Sequence, residues 1–234
     1  MVTIQENNFS IPRPAIMQHI GLRREQQDAV AFGSDYLILA DGMGGQPQGA
    51  RAGRLAAAGA ENVLLRGPVK TRNADRIMQD CFRNADKFVA GLQNYDRYSP
   101  HIWDWPGSTL LVAFRTTDDE LYLGSMGDSR GYIWDGEYLT QLTFDDADNF
   151  GFITRFVGMG IPDKYQGGLV NYRKGDRLML ATDGMFGPLE DDAIQFVFEQ
   201  CEGLPASDIC RQLTAGALAA GGKDNITVAV WDLD

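Results

Sequence analysis

The chain has 234 residues, with 21 Lys+Arg against 32 Asp+Glu and a formal net charge of −11. A hydrophobic share of 44% and a charged share of 23% exclude a broadly disordered or coiled-coil protein, and the length buries a core without staples. The acidic balance argues against nucleic acid as a partner, because displacing counterions needs cations. Cys81, Cys201 and Cys210 form no C-x-x-C pair, which excludes a disulfide framework or a cysteine zinc site.

Residues 1–24 lack the apolar stretch of a secretory leader. The longest apolar runs, such as 36–40, are far too short to span a bilayer. The expectation is a cytoplasmic chain with no membrane contact within the residues given. In chain order, strands are predicted at 29–33 and 36–40 around the polar turn Gly33-Ser34-Asp35. An Ala-rich helix follows at 48–66. A second helix at 73–93 lines up Ile77, Cys81, Phe82, Ala85, Phe88, Val89 and Leu92 on one face. Strands come next at 109–116, 121–125, 131–134, 138–142, 169–173 and 178–181. Two helices, 191–201 and 207–219, precede a last strand at 226–231. Tight turns such as Thr117-Asp118-Asp119 and Asp135-Gly136 join neighbouring strands, so the sheets read as mostly antiparallel. No linker or repeat divides the chain, and a single domain over 1–234 is expected. The order places sheets in the middle and helix pairs outside, an α/β layered arrangement that disfavours a doubly wound parallel sheet.

The aspartates carry the functional signal. Apolar runs end in Asp41-Gly42, Gly127-Asp128 and Asp183-Gly184, and Asp224-Asn225 opens the last strand. One Asp at a strand end is ordinarily a turn residue. Four that converge are a different matter: two carboxylates about 4 Å apart repel by about 4 kcal/mol at an effective dielectric near 20. Such a cluster must protonate or hold cations. All-oxygen donors without nearby His or Cys select hard ions, Mg²⁺, Mn²⁺ or Ca²⁺. Two such ions can bridge and activate a water for attack on phosphorus.

Competing motifs fail. Gly127-Asp128-Ser129-Arg130-Gly131 matches G-x-S-x-G, yet His19 and His101 both precede Ser129, so the hydrolase order of Ser, acid, His cannot be completed. Asp146-Ala147-Asp148 with Gly151 starts like a Ca²⁺ loop, but Phe150 and Val157 occupy ligand positions. No Gly-rich nucleotide motif is present. Cys81 has Lys87 where a C-x₅-R phosphate cradle needs Arg.

The ordered set of motifs resembles the metal-dependent protein phosphatases of type 2C. Gly21-Leu22-Arg23-Arg24-Glu25-Gln26-Gln27-Asp28 resembles their G-x-R-x-x-x-[EQ]-D, and Asp41-Gly42-Met43-Gly44-Gly45 their D-G-x-G-G. Gly107-Ser108-Thr109, Gly127-Asp128-Ser129-Arg130, Leu142 to Asp145, Thr154-Arg155 with Gly158, Asp183-Gly184 and Asp224-Asn225 follow in the family's order over nearly the whole chain. The resemblance implies a central β-sandwich flanked by helix pairs. It implies hydrolysis of phosphoserine and phosphothreonine monoesters by a metal-activated water. Asp41 would bridge two Mg²⁺ or Mn²⁺ ions, with the Gly42 carbonyl on one and Asp183 and Asp224 on the other. Gln27 would act directly or through water, Asp28 would hold metal-bound waters, and Arg23 would grip the phosphate. Met43 stands where many eukaryotic members carry His.

Two departures follow from the same resemblance. Gly187 replaces a further Asp that helps bind a third, weaker ion together with Asp128. Only residues 147–152 stand where the family has a longer flap, which is expected to open the rim and alter substrate choice. The implied partners are phosphoproteins, among them Ser/Thr kinases and their substrates, and a monomer is expected. Two rival readings are a sensing protein of the same fold and a two-metal phosphohydrolase for small phosphoesters. The four core carboxylates speak against the first.

Overall fold

The computed structural model describes residues 13–43, 48–92 and 105–234. Gly44, Gly45 and His101, together with Gln93 at the end of the second predicted helix, lie outside the described residues.

Two five-stranded antiparallel sheets stack face to face. One has the order β1 (Ala15–His19), β10 (Ile226–Leu233), β9 (Asp176–Ala181), β6 (Arg130–Trp134), β7 (Leu139–Gln141). The other runs β2 (Asp28–Phe32), β3 (Tyr36–Asp41), β4 (Leu110–Arg115), β5 (Leu121–Met126), β8 (Gln166–Val170). Alternation along each strand supplies two apolar faces, because successive side chains point to opposite sides. On β3, Leu37 and Leu39 enter the layer between the sheets, where they meet Leu178, Leu180 and Trp231. Ile38 and Ala40 face α1 (Gly49–Leu64) and α2 (Ala74–Ala90) on the outside. On the far side, Met179 and Val228 pack under α3 (Asp183–Phe186), α4 (Asp191–Gln200) and α5 (Ala206–Ala219). The result is the helix–sheet–sheet–helix sandwich expected from the order of elements.

Among the described residues the structure adds four elements to the predicted set, one of them a 3-10 turn at Pro162–Lys164, and moves one. β1 was not expected, since its five residues carry no marked pattern of their own; its ladder is supplied by β10 in register from Ala15↔Val230 to His19↔Ile226. The short α3 begins at Asp183 itself, and a 3-10 turn at Thr71–Asn73 leads into α2. The strand predicted at 169–173 lies at Gln166–Val170 instead, taking in Gly167 and Gly168. Glycine pairs read as turns, but here a Cβ on Gly167 would fall 2.1 Å from the Leu123 carbonyl oxygen, so the close approach of β8 to β5 requires glycine.

Candidate metal centre

The antiparallel register sets Asp28 opposite Asp41, at one end of the β2–β3 pair. At that end of the other sheet, Ala181 is paired with Val228 and with Arg130, which brings the residues after β9 and before β10 alongside. Asp128 lies between β5 and β6. Strand ends from both sheets therefore deliver Asp28, Asp41, Asp128, Asp183 and Asp224 to one place.

Glycines let the backbones close in. A Cβ on Gly184 would fall 1.9 Å from the Asn225 carbonyl oxygen, and one on Gly42 2.0 Å from that of Gly49. Gly21, at φ +61°, lies so close to Asp224 that a Cβ would sit 2.0 Å from its carbonyl oxygen. A Cβ on Gly49 would meet the Gln27 amide nitrogen at 2.6 Å and the Gly42 carbonyl oxygen at 3.1 Å, which places the Gln27 side chain beside that carbonyl.

The cluster is strongly self-repelling. Burial, then the charges of Asp28, Asp183, Asp128 and Asp224, hold the Asp41 carboxyl well above the ordinary carboxylate range. Burial pushes Asp28 up to about 6, against hydrogen bonds from Thr227 and Thr182. Burial and the neighbouring Asp183 push Asp128 up to about 7. Asp183 is raised by burial and by Asp224. Among the described residues no three side chains already stand together as a ready-made ligand set. The carboxyls meet in pairs, Asp41 lying against both Asp28 and Asp183. Asp28 Oδ1 and Asp183 Oδ1 are buried with no donor. Orphaned, anionic, all-oxygen donors fit Mg²⁺ or Mn²⁺ and fit no softer metal.

Around this cluster the structure explains motif residues to which the sequence alone assigned no role. Asn225 Oδ1 accepts the Gln27 amide at 2.8 Å, and its Nδ2 donates to the carbonyls of Ile20 and Glu25. One side chain thereby fixes the segment that carries Arg23. Arg23 donates to Asp224 Oδ2. Thr109 Oγ1 accepts the Asp41 amide at 2.9 Å and meets Ser129 Oγ at 2.7 Å. Arg130 forks onto Asp145 at 2.8 and 2.9 Å and stacks on the Phe186 ring, 4.1 Å from its centroid. Arg155 pairs with the buried Asp146, which also accepts the Gly127 amide. The partners of Asn225, Arg23 and Asp41 are far apart in sequence, and only the fold shows them.

The short segment after Asp146 is a compact turn. Asp148 Oδ1 accepts the amides of Phe150 and Phe152, both at 2.9 Å. Phe144 and Phe150 are exposed beside it. At Gly187 the amide donates to the Asp183 carbonyl at 2.7 Å, and a Cβ would fall 2.6 Å from that oxygen. A side chain there needs a shift of the turn. A cavity of about 340 Å³ opens beside Gly187, Asp183 and Lys223.

Residues 18–216 match the family model described as Protein phosphatase 2C. The chain is 30% identical over 237 residues to the serine/threonine protein phosphatase PstP of Mycobacterium tuberculosis, across 91% of this chain but only 43% of that relative. A crystal structure of the M. tuberculosis serine/threonine phosphatase PstP/Ppp superposes with a TM-score of 0.82 at 27% identity, covering 95% of this chain and 98% of that one. The catalytic domain of PstP in complex with two manganese ions superposes at 0.79 and 29% identity, covering 94% and 97%.

Proposed function

Because the chain belongs to the protein phosphatase 2C family, we propose that it is a metal-dependent serine/threonine protein phosphatase built as one catalytic domain over residues 1–234. The observation that carries this reading is the convergence of five aspartates with two buried, donorless carboxylate oxygens. Asp41, the Gly42 carbonyl, Asp183 and Asp224 would hold two Mg²⁺ or Mn²⁺ ions, with Gln27 and Asp28 acting beside them. Asp128 with Asp183 would hold a weaker third ion. When bound, such ions supply an activated water and neutralise charge on the phosphoryl group.

The chain's own residues do the rest. Arg23 grips two phosphate oxygens as a planar fork. Asn225 keeps the Arg23 segment in place through Ile20, Glu25 and Gln27. Thr109 and Ser108 hold the Asp41 backbone from both sides, its amide and its carbonyl. Met43 offers no titratable group to protonate a leaving alkoxide, so that proton comes from elsewhere.

The substrates in this reading are phosphorylated proteins, among them Ser/Thr kinases and their targets, which makes the role one of signalling. Three buried, unpaired cysteines support a reducing, cytoplasmic setting. Among the described residues no helix is long and apolar enough to cross a membrane. We take the active unit to be a monomer.

Hydrolysis of a phosphothreonine peptide with Mn²⁺ titrated against an EDTA control tests the reading. Mn²⁺-dependent phosphate release is expected. A folded protein that releases none with any divalent ion would overturn it in favour of sensing, and release confined to small phosphoesters would favour the phosphohydrolase rival.

A further inference from the structure

Asp28 belongs to one sheet, but its carboxylate is held by the other. Thr227 Oγ1, on β10, lies 2.6 Å from Asp28 Oδ2, and Thr182 Oγ1, just after β9, lies 3.1 Å from the same atom. Both threonines are fully buried. The proton directions are determined. Thr182 Oγ1 accepts the Thr227 amide at 3.0 Å, so its own proton goes to Asp28. Thr227 Oγ1 accepts the Gln18 amide nitrogen at 3.2 Å and likewise donates to Asp28. Two hydroxyls thus saturate Oδ2 and leave Oδ1 buried without a hydrogen-bond partner.

The two halves of the centre ride on different sheets. Asp41 closes β3, whereas Asp183 and Asp224 flank β9 and β10. Thr182 immediately precedes Asp183, and Thr227 lies three residues after Asp224. We propose that Thr182 and Thr227 are positioning residues that set the spacing between the two halves of the metal centre by pinning Asp28 across the sandwich. This inference rests on the metal-centre reading above. Neither threonine touches the ions or the substrate; both act through Asp28, and the structure holds the pair where a shift of either sheet would break it.

The test is Mn²⁺ binding by calorimetry, with the paramagnetic resonance spectrum of the Mn²⁺-loaded protein, on Thr182→Val, Thr227→Val and Thr227→Ser. Valine keeps the shape and removes the hydroxyl. The expected result is about 10–100-fold weaker Mn²⁺ binding in each valine variant, the usual effect of losing a group that orients a ligand. The magnetic coupling between paired ions should weaken as well, and serine should restore both. A purely structural threonine would lower the melting temperature of the metal-free protein and leave affinity and coupling in the folded fraction unchanged. If Thr227→Val does not fold, Thr182→Val alone decides. Wild-type affinity and coupling in the folded variants would overturn the inference, whereas failure of the wild-type protein itself to bind Mn²⁺ would overturn the metal-centre reading and this inference with it.

Discussion

The Arg23 guanidinium lies 2.5 Å from Asp224 Oδ2, joining the proposed phosphate fork to a proposed metal ligand. Arg23 must therefore exchange a carboxylate for a phosphate when substrate binds. Charge-assisted hydrogen bonds of this kind contribute about 1.5–3 kcal/mol, or about 10–100-fold. Arg23→Ala is expected to lower kcat/KM on a phosphothreonine peptide by about that factor, mainly through KM. Mn²⁺ stoichiometry should stay at the wild-type value by calorimetry. A variant with unchanged kcat/KM would remove Arg23 from the phosphate site.

The raised aspartates have a consequence for pH. Unfolded carboxyls titrate near pH 4, while Asp28 and Asp128 are pushed up to about 6 and about 7 in the fold. Between those values the folded metal-free chain binds more protons than the unfolded chain. Its stability contribution from the cluster therefore falls as pH rises from about 4 through about 7. The melting temperature of EDTA-treated protein is expected to drop across that window. The increment from added Mn²⁺ should grow across the same window, because the ions replace the protons. A flat Mn²⁺ increment between about pH 5 and about pH 7.5 would contradict the cluster electrostatics.

Asp41→Asn separates stability from function. The substitution removes the carboxyl on which four neighbouring charges act. The metal-free variant at neutral pH is expected to be more stable than the wild type, by on the order of 1 kcal/mol, and so to melt at a higher temperature. Turnover and the thermal response to Mn²⁺ should both be lost. A lower melting temperature in EDTA would show that Asp41 has a structural role that outweighs its repulsion.

The turn held by Asp148 presents Phe150 at 85% exposure, on a segment anchored where the Asp146 amide meets the Gly127 carbonyl. Gly127 adjoins Asp128, so the base of this turn is tied next to the centre. An exposed substitution of this sort costs less than about 0.5 kcal/mol. Phe150→Ala is expected to leave the melting temperature unchanged and to raise KM for phosphopeptides while sparing p-nitrophenyl phosphate. Equal effects on both substrates would argue against a contact with the peptide.

Continuous apolar runs and helical spacing made the sandwich legible, because both faces of β3, β4 and β9 are buried. The aspartates at strand ends were legible for the same reason: a charge abruptly closing an apolar run is visible without a fold. What escaped was whatever depends on a partner far along the chain. β1 is a strand only because β10 pairs with it, and β8 contains glycines that local rules read as a turn. The hydroxyls of Thr182 and Thr227 look like ordinary strand residues until the second sheet brings Asp28 against them. Asn225 was recognisable as part of a motif, but its three hydrogen bonds to residues 20–27 span some 200 positions and have no local trace.

β10 lies between β1 and β9, although it follows every other described strand in the chain. Its sheet thus has a gap in the middle until the last of these segments is made. On the ribosome, β2 to β5 can pair with α1 and α2 early, whereas β1 must wait for a partner more than 200 residues downstream. Such non-local pairing is slow to form, since the loop must close before any contact is gained. Asp224 arrives with the same late segment. A nascent or truncated chain lacking it would carry Asp41 and Asp183 without their third carboxylate and with an open sheet edge exposed. The topology thereby delays assembly of the carboxylate cluster until β10 has been made, so that the proposed metal centre and the middle of its sheet are completed in one step.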